Sequence, residues 1–325
     1  MHRSNPDVND NGGFTLPELI ISIAVVTILL ALLLPAIQSS RESVRRVQCL
    51  NNLKQIGLAA GMYENTYRVF PPGGPSQDGG YGWLVRLLPY LEQSALFESV
   101  AMATSDPTFK TRLPKSPGIY HCQSDTVFSE IGADMASSYA GNSGTGLQVD
   151  GFNGMFRHWE AFNSKRDRGG VIGTRDVIDG LSNTALASEI LPSAVGNRDS
   201  LRLNWELKPG RIRPGEFSEF KQACSIGPVR FYTNGLPVAV ADRGVWVWGE
   251  SNVTWYNHVL LPNSRSCLNG GNPQYGISST ASLHHGGVNL VFADGHARFL
   301  SQNTESEIWR EFGSRITREV VSDGF

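Results

Sequence analysis

The hydrophobic pattern of the chain is dominated by one continuous apolar segment near its start. Between Phe14 and Ile37 the only charged residue is Glu18. About 20 apolar residues suffice to cross the hydrocarbon core of a bilayer, so the segment is long enough to be a transmembrane helix. A secretory signal peptide would be followed by a small-x-small cleavage site, and none follows here. We therefore predict a single membrane span at residues 14–37.

A second pattern extends this helix beyond the span. Over residues 38–63 apolar side chains recur every three or four positions, apart from one longer gap, which is typical of an amphipathic helix. Pro17 and Pro35 are each expected to weaken or kink the helix. The two segments together make about 50 helical residues, or roughly 75 Å at 1.5 Å per residue. Prolines and glycines then end the helix, and a globular head is predicted at residues 64–325.

Within the head, short runs of β-branched and aromatic residues alternate with polar and glycine-rich stretches. Such runs between turn-forming residues are typical of strands. The alternation of valine and tryptophan at residues 244–250 predicts a strand with valines on one face and tryptophans on the other. Residues 83–97, interrupted by Pro89, are expected to form two short helices or a helix and a turn. The predicted strands cover residues 183–190, 229–232, 244–250 and 253–261.

The clearest unit of the head is a predicted hairpin near its C-terminal end. Strands at residues 288–292 and 297–300 flank Asp294 and Gly295. An Asp-Gly pair between alternating hydrophobic residues is the strongest short hairpin signal. Asp294 is expected to shape the turn, and Gly295 is expected to adopt a positive φ.

A last helix is predicted to begin near Thr304, where Thr304 and Glu307 fit a capping box. This helix, the hairpin and the long N-terminal helix together indicate the fold class. We predict an α+β fold, in which a C-terminal antiparallel β-sheet packs on the N-terminal helix.

Charge and cysteine content narrow the function classes. The formal net charge of −2 argues against general nucleic-acid binding. The four cysteines form no C-x-x-C pair, which argues against a zinc site built on cysteine. They are compatible with one or two disulfides in an oxidising compartment, with buried free thiols as the alternative. A bridge between Cys224 and Cys267 would close a loop of about 40 residues and contribute roughly 4 kcal/mol.

The residues "GFTLPELI" ahead of the apolar helix resemble the N-terminal signal of type IV prepilins and type II secretion pseudopilins. The resemblance implies cleavage by the prepilin peptidase between Gly13 and Phe14, which removes a leader at residues 1–13. Phe14 would become the N-methylated N-terminus. Glu18 matches the acid that family members use in assembly, where it pairs with the new amine of a neighbouring subunit. Such pairing makes an otherwise expensive membrane charge tolerable.

The head resembles a large group of bacterial prepilin-like proteins whose domain of unknown function ends in a signature written H-x9-DG. His284, Asp294 and Gly295 match that signature. The shared segments include "RRVQCLNNLKQIGLA", "DGLSNTALASE" and "HHGGVNLVFADGHARFL". The resemblance implies an envelope protein with a pilin-like fold, and it implies no known activity.

Orientation in the membrane follows from two opposing signals. Arg41, Arg45 and Arg46 follow the span, and the positive-inside rule alone would place the head in the cytoplasm. Disulfides and the cytoplasmic action of the prepilin peptidase favour the other orientation. We expect a single-pass protein of the bacterial inner membrane with its head outside the cytoplasm. Such a protein can also be part of a fibre.

No catalytic or metal site is predicted. Neighbouring residues of a strand point to opposite faces, so His284 and His285 are not expected to bind one ion, and His284 is expected to hydrogen-bond locally. The sequence also lacks a nucleophile elbow and a phosphate loop, so no enzyme is predicted. Related pseudopilins can bind calcium in head loops, which leaves one alternative cofactor. Its oxygen ligands would come from Asp179, Ser182 and Asn183.

The function expected from these observations is that of a structural subunit. It would assemble with other pilin-like subunits into a pilus or a type II secretion pseudopilus. Its further partners would be the inner-membrane assembly machinery and the lipid bilayer. The alternative is a membrane-tethered binding module for a polysaccharide or a secreted protein. Tryptophans of the head, if exposed, would supply its binding platform, since exposed aromatic patches mark contacts; buried ones would be core. The candidate platform is Trp205, Trp246, Trp248 and Trp255.

Overall fold

The computed structural model describes thirteen ranges of the chain: residues 15–74, 81–103, 114–129, 135–146, 153–156, 171–193, 201–202, 204–207, 217–227, 229–231, 243–249, 253–269 and 272–316. The predicted processing site at Gly13 and Phe14 lies outside them. The chain divides into two compact units, Met1–Val44 and Arg45–Phe325. The second unit includes the C-terminal part of the long helix, whereas the sequence placed the head boundary at residue 64.

The long helix, α1, runs from Leu16 to Tyr67 and contains Pro35 in its interior. It is long and apolar enough to cross a membrane. Its most apolar 18-residue window is wholly exposed within the chain. Aliphatic side chains on every side of a helix are stable only against lipid or other protein.

The C-terminal part of α1 buries a narrow apolar stripe in the second unit. Cys49, Leu53, Ile56 and Ala60 are fully buried at helical spacing, as the amphipathic pattern predicts. Val47, which the same pattern also assigned to the stripe, is about half exposed at 53%. Burial of the stripe in this unit therefore begins at Cys49, after the start of the predicted amphipathic segment.

The remaining elements are short. They are α2 Trp83–Leu87, α3 Ser94–Ala103, β1 Tyr139–Asn142, β2 Ala185–Glu189, β3 Asn204–Leu207, α4 Phe217–Ile226, β4 Val229–Phe231, β5 Trp255–Tyr256, β6 Ser266–Asn269, β7 Asn272–Ile277, β8 Gly287–Phe292, β9 Ala297–Ser301 and α5 Ser306–Gly313. Single 3₁₀ turns lie at Leu88–Leu91, Gly118–Tyr120, Thr126–Ser129 and Thr174–Asp176.

Two sheets organise the second unit. The larger has the order β5-β1-β2-β8-β9, and the smaller has the order β4-β3-β6-β7. Most neighbouring strands are antiparallel, but β1 pairs with β5, and β3 with β6, in parallel. The fold is thus α+β with a long N-terminal helix and antiparallel-rich sheets, in agreement with the predicted class.

Both faces of the larger sheet are covered. Leu186 and Val291 face the core that α1 and α2 complete. On the opposite face, Val288, Leu290 and Phe292 pack with Trp309 of α5. This arrangement explains why β2 and β8 are buried along their whole length, since strands covered on both sides expose neither set of alternating side chains.

Three sequence-based predictions of local structure are wrong. Residues 253–261 were predicted as one strand, yet only Trp255–Tyr256 forms a strand, and turns and bends lie on either side of it. Residues 244–250 were predicted as a strand, yet the described part of that segment makes only a single bridge, between Ala136 and Val245. Trp246 and Val247 are both buried because this turn lies within the core. The capping box at Thr304 also does not form. The Thr304 hydroxyl donates instead to the carbonyl of Ser301, and α5 begins two residues later with no side-chain cap.

Candidate functional site

Glu18 lies in the first turn of α1, the helix end where a carboxylate is favoured by the helix dipole. Its Oε2 accepts hydrogen bonds from the backbone N–H of Thr15 at 2.9 Å and from the Thr15 hydroxyl at 2.7 Å. The carboxylate is therefore satisfied locally within one chain, while the residue itself is exposed. An exposed acid at the mouth of an apolar helix is available to a group from outside the chain.

The Asp-Gly part of the H-x9-DG signature forms the turn of the β8–β9 hairpin, as predicted. Asp294 Oδ1 accepts a hydrogen bond from the backbone N–H of His296 at 3.0 Å, and it lies 2.7 Å from His296 Nδ1. Gly295 has a φ of +89°, a conformation that a residue with a β-carbon rarely adopts. These two positions of the signature therefore specify a turn rather than a reaction.

The histidine of the signature is placed differently from the prediction. The backbone N–H of His284 does bond locally, to the Ser282 hydroxyl at 2.9 Å, but the imidazole ring makes long-range contacts. Its Nε2 lies 3.2 Å from Glu189 Oε1 and 3.4 Å from Cys122 Sγ. The ring is buried against Glu189 at the end of β2, while the neighbouring His285 is exposed.

Glu189 is held in place by one residue of the adjacent strand. Asn289 on β8 donates to both carboxylate oxygens, from its backbone N–H and from its side-chain amide, each at 2.8 Å. Two charge-assisted hydrogen bonds offset part of the desolvation of this buried acid. Sequence analysis missed Glu189, although a single acid inside the otherwise uncharged segment "TALASEI" is a detectable signal.

Two disulfides are present, Cys49–Cys122 and Cys224–Cys267. The first joins α1 to the segment after the Gly118–Tyr120 turn and lies against His284. The second joins α4 to β6 in the smaller sheet, and it is the pair that the sequence suggested. Sequence analysis did not pair Cys49 with Cys122, since nothing in their local surroundings indicates that they meet.

Comparison with known proteins places this architecture in a family. A family model described as a protein of unknown function (DUF1559) matches residues 38–307. The chain belongs to the DUF1559 family. A second model, the prokaryotic N-terminal methylation motif, matches residues 8–34. No curated protein and no solved structure matches the chain.

The two matches make this DUF1559 protein prepilin-like and membrane-anchored, in agreement with the resemblance noted in its sequence. The methylation motif covers the predicted cleavage site and most of the span. The DUF1559 region begins in α1 and ends in α5, so it includes His284, Asp294 and Gly295. Neither family description names an enzymatic activity.

The four candidate tryptophans of this DUF1559 protein do not form an exposed platform. Trp246 and Trp255 are fully buried. Trp205 and Trp248 are half-buried and pack against hydrophobic cores. The aromatic residues therefore serve mainly as core, and the observation that favoured a tethered binding module is lost.

The predicted calcium ligands lie in the turn that precedes β2. The side-chain amide of Asn183 donates to the carbonyl of Asp179 at 3.0 Å. The amide N–H₂ thus closes the turn, and Gly180 supports it with a φ of +90°. This geometry is that of a turn stabilised by its own side chains.

Proposed function

We propose that this protein is a membrane-anchored structural subunit that is cleaved after Gly13, N-methylated at Phe14 and assembled into a pilus or a type II secretion pseudopilus. The observation that carries the proposal is the match of residues 8–34 to the prokaryotic N-terminal methylation motif. The sequence at the proposed cut, a glycine followed by Phe-Thr-Leu-Pro-Glu, supplies the residues that such processing needs.

The exposed apolar helix supports assembly. Its most apolar window buries nothing within one chain, so lipid must cover it before assembly and neighbouring helices can cover it afterwards. In lipid, helix association draws on packing and on polar contacts rather than on the hydrophobic effect. A subunit that first lies in the membrane and then joins a bundle of identical helices has its apolar surface covered before and after assembly.

Glu18 supplies the polar contact. Cleavage after Gly13 creates an ammonium group only four residues before Glu18, at the membrane surface. We propose that Glu18 of one subunit forms an ion pair with the N-terminal amine of a neighbouring subunit, because a buried charge is tolerated when it is paired. The Thr15 donors hold the carboxylate in the isolated chain, and the neighbouring amine would replace or supplement them in the fibre.

The head is assigned to the outside of the cytoplasm. Both disulfides lie in the second unit, and disulfides persist in oxidising compartments such as the bacterial periplasm. The partners that follow are the prepilin peptidase, the inner-membrane assembly machinery and other pilin-like subunits.

The proposal is tested by mass spectrometry of the mature N-terminus. We expect the first peptide to begin at Phe14 and to carry the added mass of one methyl group. A Gly13→Val variant should retain the leader, whereas Gly12→Val should still be processed, because only Gly13 precedes the cut. Recovery of the intact leader on the wild-type chain in cells that contain the peptidase would refute the proposal.

A further inference from the structure

Four potential metal ligands from four distant parts of the sequence meet in the second unit. Cys49 comes from α1, Cys122 from the segment after the Gly118–Tyr120 turn, Glu189 from the end of β2 and His284 from the segment before β8. All four are buried. One ligand atom of each lies within 4.8 Å of the ligand atoms of the other three.

Two of the separations between these atoms are close to those of tetrahedral coordination. Zn–S bonds of about 2.3 Å and Zn–N or Zn–O bonds of about 2.0–2.2 Å place neighbouring ligand atoms about 3.3–3.8 Å apart. The observed separations are 3.4 Å between Cys122 Sγ and His284 Nε2 and 3.2 Å between His284 Nε2 and Glu189 Oε1. The sulfurs of Cys49 and Cys122 do not fit, because they are joined in a disulfide.

The surroundings also resemble those of a metal site. Asn289 fixes both oxygens of Glu189, as outer hydrogen bonds fix the carboxylate ligands of metals. The backbone N–H of Gln123 donates to Cys49 Sγ at 3.2 Å, a contact that would stabilise a thiolate. Glu189 and Cys49 therefore already have orienting hydrogen bonds, and reduction of the disulfide would free the two thiolates that a four-ligand set needs.

We propose that the reduced form of this protein binds one Zn²⁺ through Cys49, Cys122, Glu189 and His284, and that formation of the Cys49–Cys122 disulfide expels the ion. Two thiolates and one carboxylate carry three negative charges, which Zn²⁺ reduces to one in the buried site. Without the metal, reduction leaves two buried thiols beside a buried acid. The site is independent of the proposed assembly function, and it contradicts the sequence-based argument against a cysteine zinc site.

The switch balances as a two-electron thiol–disulfide exchange. One zinc-bound thiolate attacks a disulfide oxidant, which forms a mixed disulfide and releases one thiolate of the oxidant. The second cysteine thiolate then displaces the other half of the oxidant and closes the Cys49–Cys122 bond. The oxidant takes up two electrons, and Zn²⁺ leaves because two of its four ligands no longer exist. A dithiol reductant reverses the reaction.

The test uses the full chain in detergent micelles with Cys224 and Cys267 both replaced by serine, so that reduction frees only the other pair. After anaerobic reduction, titration with Co²⁺ should give a tetrahedral visible spectrum and a thiolate-to-cobalt charge-transfer band that saturate at one equivalent. One equivalent of Zn²⁺ should abolish both. Oxidised glutathione should then release the bound zinc to a chromogenic chelator.

Matched variants assign the ligands. His284→Ala and Glu189→Gln should each weaken Co²⁺ binding at least tenfold, while His285→Ala, at the exposed neighbouring position, should leave it unchanged. Equal affinity in the parent chain that carries both serine replacements and in its His284→Ala variant would overturn the proposal, as would binding of zinc by the oxidised protein. Circular dichroism tests whether the reduced chain unfolds. Refolding of the reduced chain upon addition of Zn²⁺ supports the site, and a reduced chain that stays unfolded and binds no zinc refutes it.

Discussion

Gly57 of α1 lies directly against Gly295, the glycine of the hairpin turn. A β-carbon at Gly57 would come within 3.2 Å of Gly295 Cα and within 2.6 Å of Val291 Cγ2. The backbone of the helix and the turn of the hairpin therefore approach more closely than side chains would allow. Gly295 requires glycine for its positive φ, since a β-carbon there would meet its nearest neighbour, Leu58, at an ordinary 3.6 Å, whereas the close approach excludes a side chain at Gly57.

The first prediction concerns this close approach. Gly57→Ala should lower the free energy of unfolding by about 1–3 kcal/mol, because the new methyl group overpacks a rigid contact. Gly61→Ala is the matched control. A β-carbon there meets nothing within 4 Å, so the helix should gain roughly 0.5–1 kcal/mol. Denaturant unfolding measures both, and equal effects of the two variants would contradict the packing argument.

The second prediction concerns a buried ion pair between distant segments. Arg202 donates to both carboxylate oxygens of Asp125, at 3.0 Å and 2.7 Å, and both side chains are buried. Asp125→Ala should destabilise the fold by about 3–5 kcal/mol, since it leaves a buried guanidinium unpaired. Chemical denaturation measures the loss.

The control for this prediction is a solvent-exposed pair. The Arg175 side chain is 92% exposed and lies 3.9 Å from Asp176. Arg175→Ala should therefore change stability by less than about 1 kcal/mol. A double variant in which Arg202→Met accompanies Asp125→Ala should recover part of the loss. Failure of the second substitution to recover any stability would show that the unpaired charge is not the cause.

The third prediction is a pH dependence that arises at His258. Nδ1 of this buried ring donates to the Trp309 carbonyl at 2.7 Å, and the Tyr256 hydroxyl lies 3.1 Å from Nε2. Burial lowers the pKa of His258 to about 3 from its ordinary value of 6.5. Below pH 6.5 the unfolded chain binds a proton that the folded chain does not, so stability present above that pH is lost as the pH falls toward 3.

The slope of this loss should be about 1.4 kcal/mol per pH unit between roughly pH 4 and 6. His258→Asn can keep the hydrogen bond to the Trp309 carbonyl but cannot titrate. Its unfolding free energy, measured by urea denaturation at several pH values, should fall less steeply over this window. Parallel curves for the two proteins would exclude His258 as the source.

The fourth prediction separates assembly from insertion. Glu18→Gln should insert into the membrane normally but enter fibres at least tenfold less efficiently, because a neutral side chain cannot pair with the neighbouring amine. Thr15→Val removes only the hydroxyl donor to Glu18 and should have a smaller effect. Cross-linking of membrane fractions and sheared fibres measures both steps. Normal incorporation of Glu18→Gln would remove the role assigned to the carboxylate.

Elements specified by local sequence were predicted well. The β8–β9 hairpin follows from an Asp-Gly pair between apolar residues, and α1 follows from its continuous hydrophobic pattern. The segment around Trp246 was predicted wrongly because alternation of valine and tryptophan is typical of strands, whereas here both kinds of side chain are buried in a turn. The capping box failed for a similar reason, since the Thr304 hydroxyl found a nearer acceptor in the preceding turn.

The sequence by itself determined the features whose causes lie within a few residues of each other: the apolar helix, the methylation motif with Glu18, and the turn at Asp294 and Gly295. Only the tertiary structure decided which residues surround His284. Cys122 is 162 positions away from it, and Glu189 lies on another strand. Such contacts result from how sheets and helices bury their apolar faces together, and this packing is a property of the whole chain that no local pattern records.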